Sequence, residues 1–544
     1  MKETLRKLIT EAAEKLDYPE TDFLIERPKQ PEHGNYSSNI ALTLTKSLRR
    51  NPMEIAGELV KELEYDSSVI LDVEVAPPGF INFFLTHDYF RDRLRAIHAA
   101  GKEYGKHQPD QRPTVLVEFV SANPTGPLNI GHGRQAVLGD TIANLLEWNG
   151  YDVTREYYYN DAGRQMRVLA ESVRSRYHEV VGGEEFPFPE DGYQGEYIQD
   201  IAGELADEYS DTLLEEEDES KFLEAAEDAV FRDIQSTLDR LGITFDSFYN
   251  EQSVYDAGTL DWVLERFSAK GYSYEEDDAV WFKSTEFGLD QDRVMVKSSG
   301  EPTYRLPDIA YHTTKIERGF DRIIDLFGAD HHAAFPDVLA GLKALGYSTE
   351  NIEVYLHQFV TLMREGKKVK MSTRKANYVT LDELLDSVGS DVVRYFFNMR
   401  TMNSHLNFDL DLALKQSEEN PVFYLQYAHA RICSIFKKMR NRGMEFPDEG
   451  PDLSLLREDE EIGLMEKMEE FPEVVESCGD NPEPLHLCNY LQDLATALHK
   501  FYTEHWVLTD DAPLSHARLY LIEGARIILE NGLTILGIDA PEKM

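Results

Sequence analysis

Apolar and polar positions change period along this chain, and the changes divide it in three. "MKETLRKLITEAAEKL" repeats apolar residues at helical spacing among charges, which predicts an amphipathic helix and not a leader peptide. "NPMEIAGELVKEL" predicts another helix, whereas "VEVAPPGFINFFL" alternates as strands do. The polar, proline-ended "KHQPDQRP" then reads as a linker, so residues 1–110 are expected to form a small α+β domain. From Thr114, strand-like runs such as "TVLVEFVS" alternate with helical ones such as "RQAVLGDTIANLLEWNG", where Val137, Leu138, Ile142, Leu145 and Leu146 face inward and Gly150 closes the helix. That alternation predicts a parallel α/β sheet over 111–395, with an insertion at about 170–275 whose stretch from 180 to 230 is acid-rich and helical. Beyond 396 nearly every segment is helical. "HARLYLIEGARIILENGLTIL" sets Leu519, Ile522, Ile528 and Leu529 on one face, so 396–544 is expected to be all-α.

Composition narrows the classes. With 42% hydrophobic and 11% aromatic residues, a chain of 544 can bury ordinary cores, which excludes wholesale disorder. No apolar run approaches the ~18 residues of a membrane span, and a cytoplasmic protein is expected. Cys433, Cys478 and Cys488 lack the short paired spacing of a zinc site, so neither metal nor disulfide is expected there. The net charge of -45, from 100 acids against 55 bases, opposes general attraction to nucleic acid. It reads as a solvated acidic surface adapted to concentrated salt, of the kind expected in a halophilic archaeon. Local cation clusters therefore count for more: "KSLRR" at 46–50, "REGKKVKMSTRK" at 364–375 and "ARICSIFKKMRNR" at 430–442.

Two stretches carry chemistry. "SANPTGPLNIGHGRQAV" at 121–137 lies between the predicted strand and helix. Turns of this kind offer free amides and a positive helix end to phosphates, and Gly131 and Gly133 would let the backbone approach a nucleotide while His132 aims a donor at it. The stretch fits neither a dinucleotide fingerprint nor a Walker loop, and a tight packing turn would want the same small residues. In "REGKKVKMSTRKANYVTLDELL", Lys367, Lys368, Lys370, Arg374 and Lys375 surround Met-Ser-Thr in a loop before a helix. Concentrated in an acidic chain, these cations suggest a clamp on a polyphosphate whose charge grows as pyrophosphate departs.

"NIGH" at 129–132 and "KMSTR" at 370–374 resemble the two signatures of class I aminoacyl-tRNA synthetases. With "YYYNDAGRQM", "TYRLPDIAYH", "NPVFYLQYAHARI" and the terminal "GLTILGIDAPEKM", the chain resembles arginyl-tRNA synthetases over essentially its whole length. The resemblance implies a Rossmann-type catalytic domain, an N-terminal domain that reads the tRNA elbow through Phe80 and Asn82, and a helical anticodon-binding domain. It implies catalytic roles for Asn129, His132, Lys370 and Arg374, and ATP contacts from Gly131, Gly133, Asp330, His332, Met371 and Ser372. Glu118, Asn123, Tyr304 and Asp308 are implied to hold arginine, Tyr304 and Asp308 sharing a pocket if "YRLPD" is helical. Tyr424, Tyr427, Arg431, Tyr502, Trp506 and Met544 mix aromatic faces with a cation as a reader of splayed tRNA bases would. The implied reaction joins L-arginine to tRNA(Arg) through an adenylate, with ATP as substrate and Mg2+ assisting, in a monomer away from membranes. Two positions depart from the signatures. Asn129 stands where histidine is usual but keeps an NH2 donor, and Thr373 replaces a lysine whose charge must come from Lys370, Arg374 or Lys375.

Overall fold

The computed structural model describes residues 1–544 except 183–185, 216–218, 330, 331, 333, 370–378 and 447–449. The chain divides into two compact units that interleave in sequence: Met1–Tyr104, Arg431–Phe471 and Asp493–Ile528 form one, while Gly105–Ala430, Pro472–Gln492 and Leu529–Met544 form the other. These units cut across the three segments read from the sequence, because the C-terminal helices contribute to both.

In the larger unit a five-stranded parallel sheet runs in the order Ile352–His357, Arg322–Gly328, Thr114–Glu118, Asp152–Tyr159, Ser247–Asn250. Val115, Leu116 and Val117 are fully buried, as a central strand covered on both faces requires. The Ile130–Trp148 helix links this strand to its neighbour on one side, and the later strands add on the other. Thr114–Glu118 is therefore the switch point, and the crevice beyond its carboxyl end is where such sheets bind ligands. Helices Gly163–Val181, Glu196–Tyr209 and Ser220–Arg240 pack together between strands Asp152–Tyr159 and Ser247–Asn250 in the chain. The expected insertion at 170–275 thus includes a piece of the central sheet, since Ser247–Asn250 pairs in register with Glu156–Tyr159. Its four residues were too short to stand out from the acid-rich helices around them.

The smaller unit holds a four-stranded antiparallel sheet in the order Ile25–Glu26, Tyr36–Ser38, Phe80–Leu85, Ile70–Ala76. Helix Asp459–Glu469 joins it through Glu469, which accepts from the Tyr89 hydroxyl at 2.8 Å and pairs with Arg27 at 2.5 Å.

Candidate active site

The first turn of the Ile130–Trp148 helix is built by Asn129 and His132 together. Asn129 Oδ1 accepts from the His132 amide at 2.9 Å, and the Asn129 amide donates back to His132 Nδ1 at 3.3 Å. With Nδ1 committed as an acceptor, a neutral His132 carries its proton on Nε2. The asparagine is thus the helix cap, and its NH2 remains for a ligand. The two glycines differ in purpose. A Cβ on Gly131 would meet Asn129 Oδ1 at 3.0 Å, so the cap itself wants glycine there. A Cβ on Gly133 would sit 2.5 Å from Leu381 Cδ1, and Gly133 is absent from the cavity wall. Gly133 is a packing glycine, which corrects the expectation that it approaches ATP. Leu381 opens the helix after the basic loop, its amide bonds the Leu128 carbonyl at 2.8 Å, and Asn129 bridges Thr380. The backbone thereby brings the first signature against the residues just beyond the second.

A cavity of about 1370 Å3 opens at this end of the sheet, lined among others by Glu118, Asn123, Asn129, Gly131, His132, Glu251, Tyr304, Asp308 and Lys368. That exceeds the ~300–1,000 Å3 usual for one small ligand. One wall is the Arg305–Glu317 helix, which presents Asp308, Tyr311 and His312 to the cavity, with Lys315 at the same helical spacing buried behind them. Lys315, fully buried, pairs with Glu118 and with Asp325 at 2.6 Å. Glu118 also accepts from the Ser121 and Tyr311 hydroxyls at 2.9 and 3.1 Å. His312 spans from the Asp308 carbonyl at 2.7 Å to Asp325 at 3.2 Å. Behind them Glu156 takes Tyr311 at 2.6 Å and both Arg318 terminal nitrogens at 2.6 and 2.8 Å. Glu118, Asp325 and Glu156 are thus all neutralised by cations of the protein.

Two lining carboxylates are not. Among the described residues, neither Asp308 nor Glu251 has a cation within ion-pair distance. Glu251 accepts from the Tyr158 hydroxyl at 2.6 Å and Asn160 Nδ2 at 2.7 Å, and burial pushes its carboxyl up despite those donors. Burial likewise pushes Asp308 up to about 7, with His312 and Lys315 pulling down against the push of Glu251 and Glu118. Burying such groups unpaired is costly, so a wall that keeps two is complementary to a cationic ligand. A planar guanidinium, with five donors, suits it best.

The remaining expected residues fall in several places. Asn123 lines the cavity, accepting from the Asn160 amide at 3.0 Å and donating to Gln165 at 3.2 Å. Tyr304 caps the pocket helix and is 57% exposed at the cavity edge, with Arg305 over its ring. Tyr304, at the N-cap, and Asp308 stand one helical turn apart, and both line the cavity. His332 is exposed and is not part of the wall. Asp330, Lys370, Met371, Ser372 and Arg374 lie outside the described residues. Asn82 is buried and accepts from the Ser37 hydroxyl at 2.7 Å, so its side chain serves the sheet and is not offered to RNA, while Phe80 beside it is half-buried. Arg431 lies 4.7 Å over the Tyr502 ring, whose hydroxyl is buried; Trp506 in the same unit is 82% exposed. Tyr424 and Tyr427 are half-buried on the Pro421–Asn441 helix, and exposed Met544 lines a cavity of about 420 Å3 with Phe423 and Gln426.

Glu251, Tyr158 and Lys315 were missed by sequence reasoning. "YNEQSVYD" carries no motif that singles out Glu251. Lys315, however, was legible as the last of four polar residues spaced i, i+3, i+4, i+7 on one helix, a stripe that faces inward here.

A parallel sheet with its switch point beside a helix opened by Asn-Ile-Gly-His, with Lys368 and Val369 in the same cavity wall just before Lys-Met-Ser in the sequence, fits a class I aminoacyl-tRNA synthetase. Residues 93–404 match the family model "tRNA synthetases class I (R), catalytic domain", 3–85 match "Arginyl tRNA synthetase N terminal domain" and 425–544 match "DALR anticodon binding domain". Proteins described as arginine–tRNA ligases from Salinibacter ruber and Desulfotalea psychrophila are 52% and 51% identical, the first covering 100% of both chains and the second 96% of this chain and 95% of its own. The Thermus thermophilus arginyl-tRNA synthetase structure shares the fold at a TM-score of 0.79 and 23% identity, over 100% of both chains. The chain belongs to the arginyl-tRNA synthetase family. These relatives are bacterial, and they lend no support to the archaeal origin suggested by the acidic composition.

Proposed function

We propose that this cavity activates L-arginine with ATP and passes the arginyl group to the 3′ end of tRNA(Arg). The observation that carries the reading is the pair of carboxylates, Asp308 and Glu251, which have no cation within ion-pair distance among the described residues and share a cavity with the Asn129–His132 helix start. The guanidinium is held at Asp308 and Glu251, with Tyr304 and Asn123 closing round the substrate. Glu118, already neutralised by Lys315, shapes the wall and leaves the charge of the guanidinium to the other two. An oxygen of the arginine carboxylate attacks the α-phosphorus of ATP, the bond to the β-phosphate oxygen breaks, and pyrophosphate leaves with that electron pair. A ribose hydroxyl of the tRNA's terminal adenosine then takes the arginyl carbonyl and AMP departs.

The protein's part is placement and charge. His132 Nε2–H and the Asn129 NH2 face phosphate at the helix start, where free amides and the helix dipole favour anions. Lys370 and Arg374, with Met371 and Ser372 in the same loop, meet the leaving pyrophosphate, and Asp330 neighbours the nucleotide. No three His, Cys, Asp or Glu side chains among the described residues group to hold a metal. Mg2+ enters with ATP, coordinated by its phosphates, as a part of the substrate. Phe80, Tyr424, Tyr427, Arg431, Trp506 and Met544 hold the tRNA away from the reaction. No described helix is long and apolar enough to cross a membrane. The chain works as a cytoplasmic monomer, which size-exclusion chromatography tests. Aminoacylation of a tRNA(Arg) transcript with each labelled amino acid in turn tests the whole reading: arginine alone should be attached, and attachment of none, or of another, would reject it.

A further inference from the structure

Two residues after His132, the same helix buries Arg134 completely, and among the described residues no carboxylate pairs with it. Its guanidinium goes to backbone instead. Nη1 donates to the carbonyls of Gln358 at 2.6 Å and Ser404 at 3.0 Å, and Nη2 donates to the carbonyl of Thr401 at 3.0 Å. Nε is buried with no acceptor. Glu483 lies close enough to act on this charge without pairing with it, so the direct partners of the guanidinium are three backbone carbonyls.

The acceptors explain the placement. Gln358 is the hinge between the last strand of the central sheet and Val360–Arg364, and its amide bonds the Met402 carbonyl at 3.0 Å. Val360–Arg364 runs parallel to Leu406–Asp409, pairing Val360 with Leu406 and Met363 with Asp409. It also pairs with Lys367–Lys368, and the Val369 amide bonds the Leu362 carbonyl at 2.9 Å, immediately before the basic loop at 370–378. The turn at 401–404 is also held by Glu483, whose carboxylate accepts from the Met402 amide and whose charge attracts Arg134. One side chain thus ties the helix that begins at the first signature to both strands that set where the second signature starts. Burial pushes the Arg134 guanidinium down to about 10, which leaves it charged at neutral pH.

We infer that Arg134 is a positioning residue for the adenylate-forming step, a fork that holds the strand feeding the basic loop in place against the His132 helix. The inference rests on the function proposed above and adds a residue that touches no substrate. Its sign is a split between steps. The arginine ligands Asp308 and Glu251 sit on other elements, so misplacing this strand should slow pyrophosphate departure and leave arginine binding intact.

Arg134→Lys keeps a charge but has no fork to span three carbonyls, and Arg134→Met keeps only the volume. Active sites of the full-length variants would be counted by arginine calorimetry, so that misfolded protein does not enter the rates. In arginine-dependent ATP–pyrophosphate exchange at saturating tRNA, kcat per active site should fall by ~10²-fold in Arg134→Met and less in Arg134→Lys, the scale of an ångström-sized misplacement. The arginine KM and dissociation constant, and single-turnover transfer from supplied arginyl-adenylate, should hold within roughly threefold, as for a loss confined to one transition state. An unchanged kcat overturns the inference. So does loss of arginine affinity in step with rate in both variants, which would make Arg134 a fold residue only. Wild-type protein without exchange would instead reject the proposed function.

Discussion

If Asp308 holds the guanidinium as proposed, arginine recognition should depend on pH near neutrality. Its carboxyl stands at about 7 against an ordinary 3.8, a shift caused first by burial. About three units at ~1.4 kcal/mol each put the cost of ionising it in the empty cavity on the order of 4 kcal/mol. A guanidinium pairs with the ionised form, and a group with this pKa is roughly 10% ionised at about pH 6 and 90% at about pH 8, so the arginine KM should fall roughly tenfold between them. Asp308→Asn should flatten that slope and weaken arginine by about 2–5 kcal/mol, the loss of a desolvated charge partner. The sign for stability is opposite. Between 3.8 and about 7 the native state keeps a proton that the unfolded chain has lost, so this group's contribution is full below 3.8 and disappears as pH rises through 7. Without arginine, Asp308→Asn should therefore gain stability relative to wild type as pH rises from about 4 to 8. Arginine titrations and thermal melts across this range check both signs. A flat arginine KM in the wild type, or the full slope retained in Asp308→Asn, would refute the reasoning; the second result would hand the proton to Glu251.

The other predictions use different parts of the molecule. Lys315→Met leaves Glu118 and Asp325 buried without their shared cation, and chemical denaturation should show a loss of about 3–5 kcal/mol. Lys370→Ala should lower kcat for adenylate formation by ~10²-fold or more while sparing transfer from supplied adenylate, as single-turnover assays would read. Trp506→Ala should weaken tRNA binding by about 1–3 kcal/mol in filter binding, with most of the rate recovered at saturating tRNA. If the charge of -45 is a salt adaptation, unfolding midpoints should climb steadily from low to ~1 M KCl, whereas equal stability at low salt rejects that reading.

How far the sequence carried this site depended on what each residue's neighbours in the chain could show. The strand at Thr114 and the helix after Asn129 were legible because burial on both faces leaves a continuous apolar run and a strong turn between them. Tyr304 and Asp308 were singled out by family resemblance, and their spacing added only that a helical "YRLPD" could turn both to one side. The small residues around His132 were ambiguous: both glycines fit a bare phosphate cradle, yet Gly133 answers to Leu381, a contact made almost 250 residues away. Asn82 was named for RNA by resemblance alone, and its bond to Ser37 across the sheet is a long-range pairing that the chain order does not display. Glu251 was invisible for a related reason. Its meaning comes from lacking a cation, and that is a property of the folded cavity, where three other acids have found theirs. Ser247–Asn250 was lost inside the insertion because a sheet accepts a four-residue edge that periodicity does not register.

Asp308 and Glu251, which no described cation pairs with, are proposed to hold the charge of the substrate. L-citrulline has nearly the shape of L-arginine and no charge, so ATP–pyrophosphate exchange with each, at saturating tRNA(Arg) and equal MgATP, isolates that claim. Arginine should support exchange with kcat/KM on the order of 10⁴-fold above citrulline, since the neutral analogue leaves two half-buried carboxylates unanswered. Exchange with citrulline within about tenfold of arginine would contradict the account, because a pocket that reads shape alone loses little to an isostere.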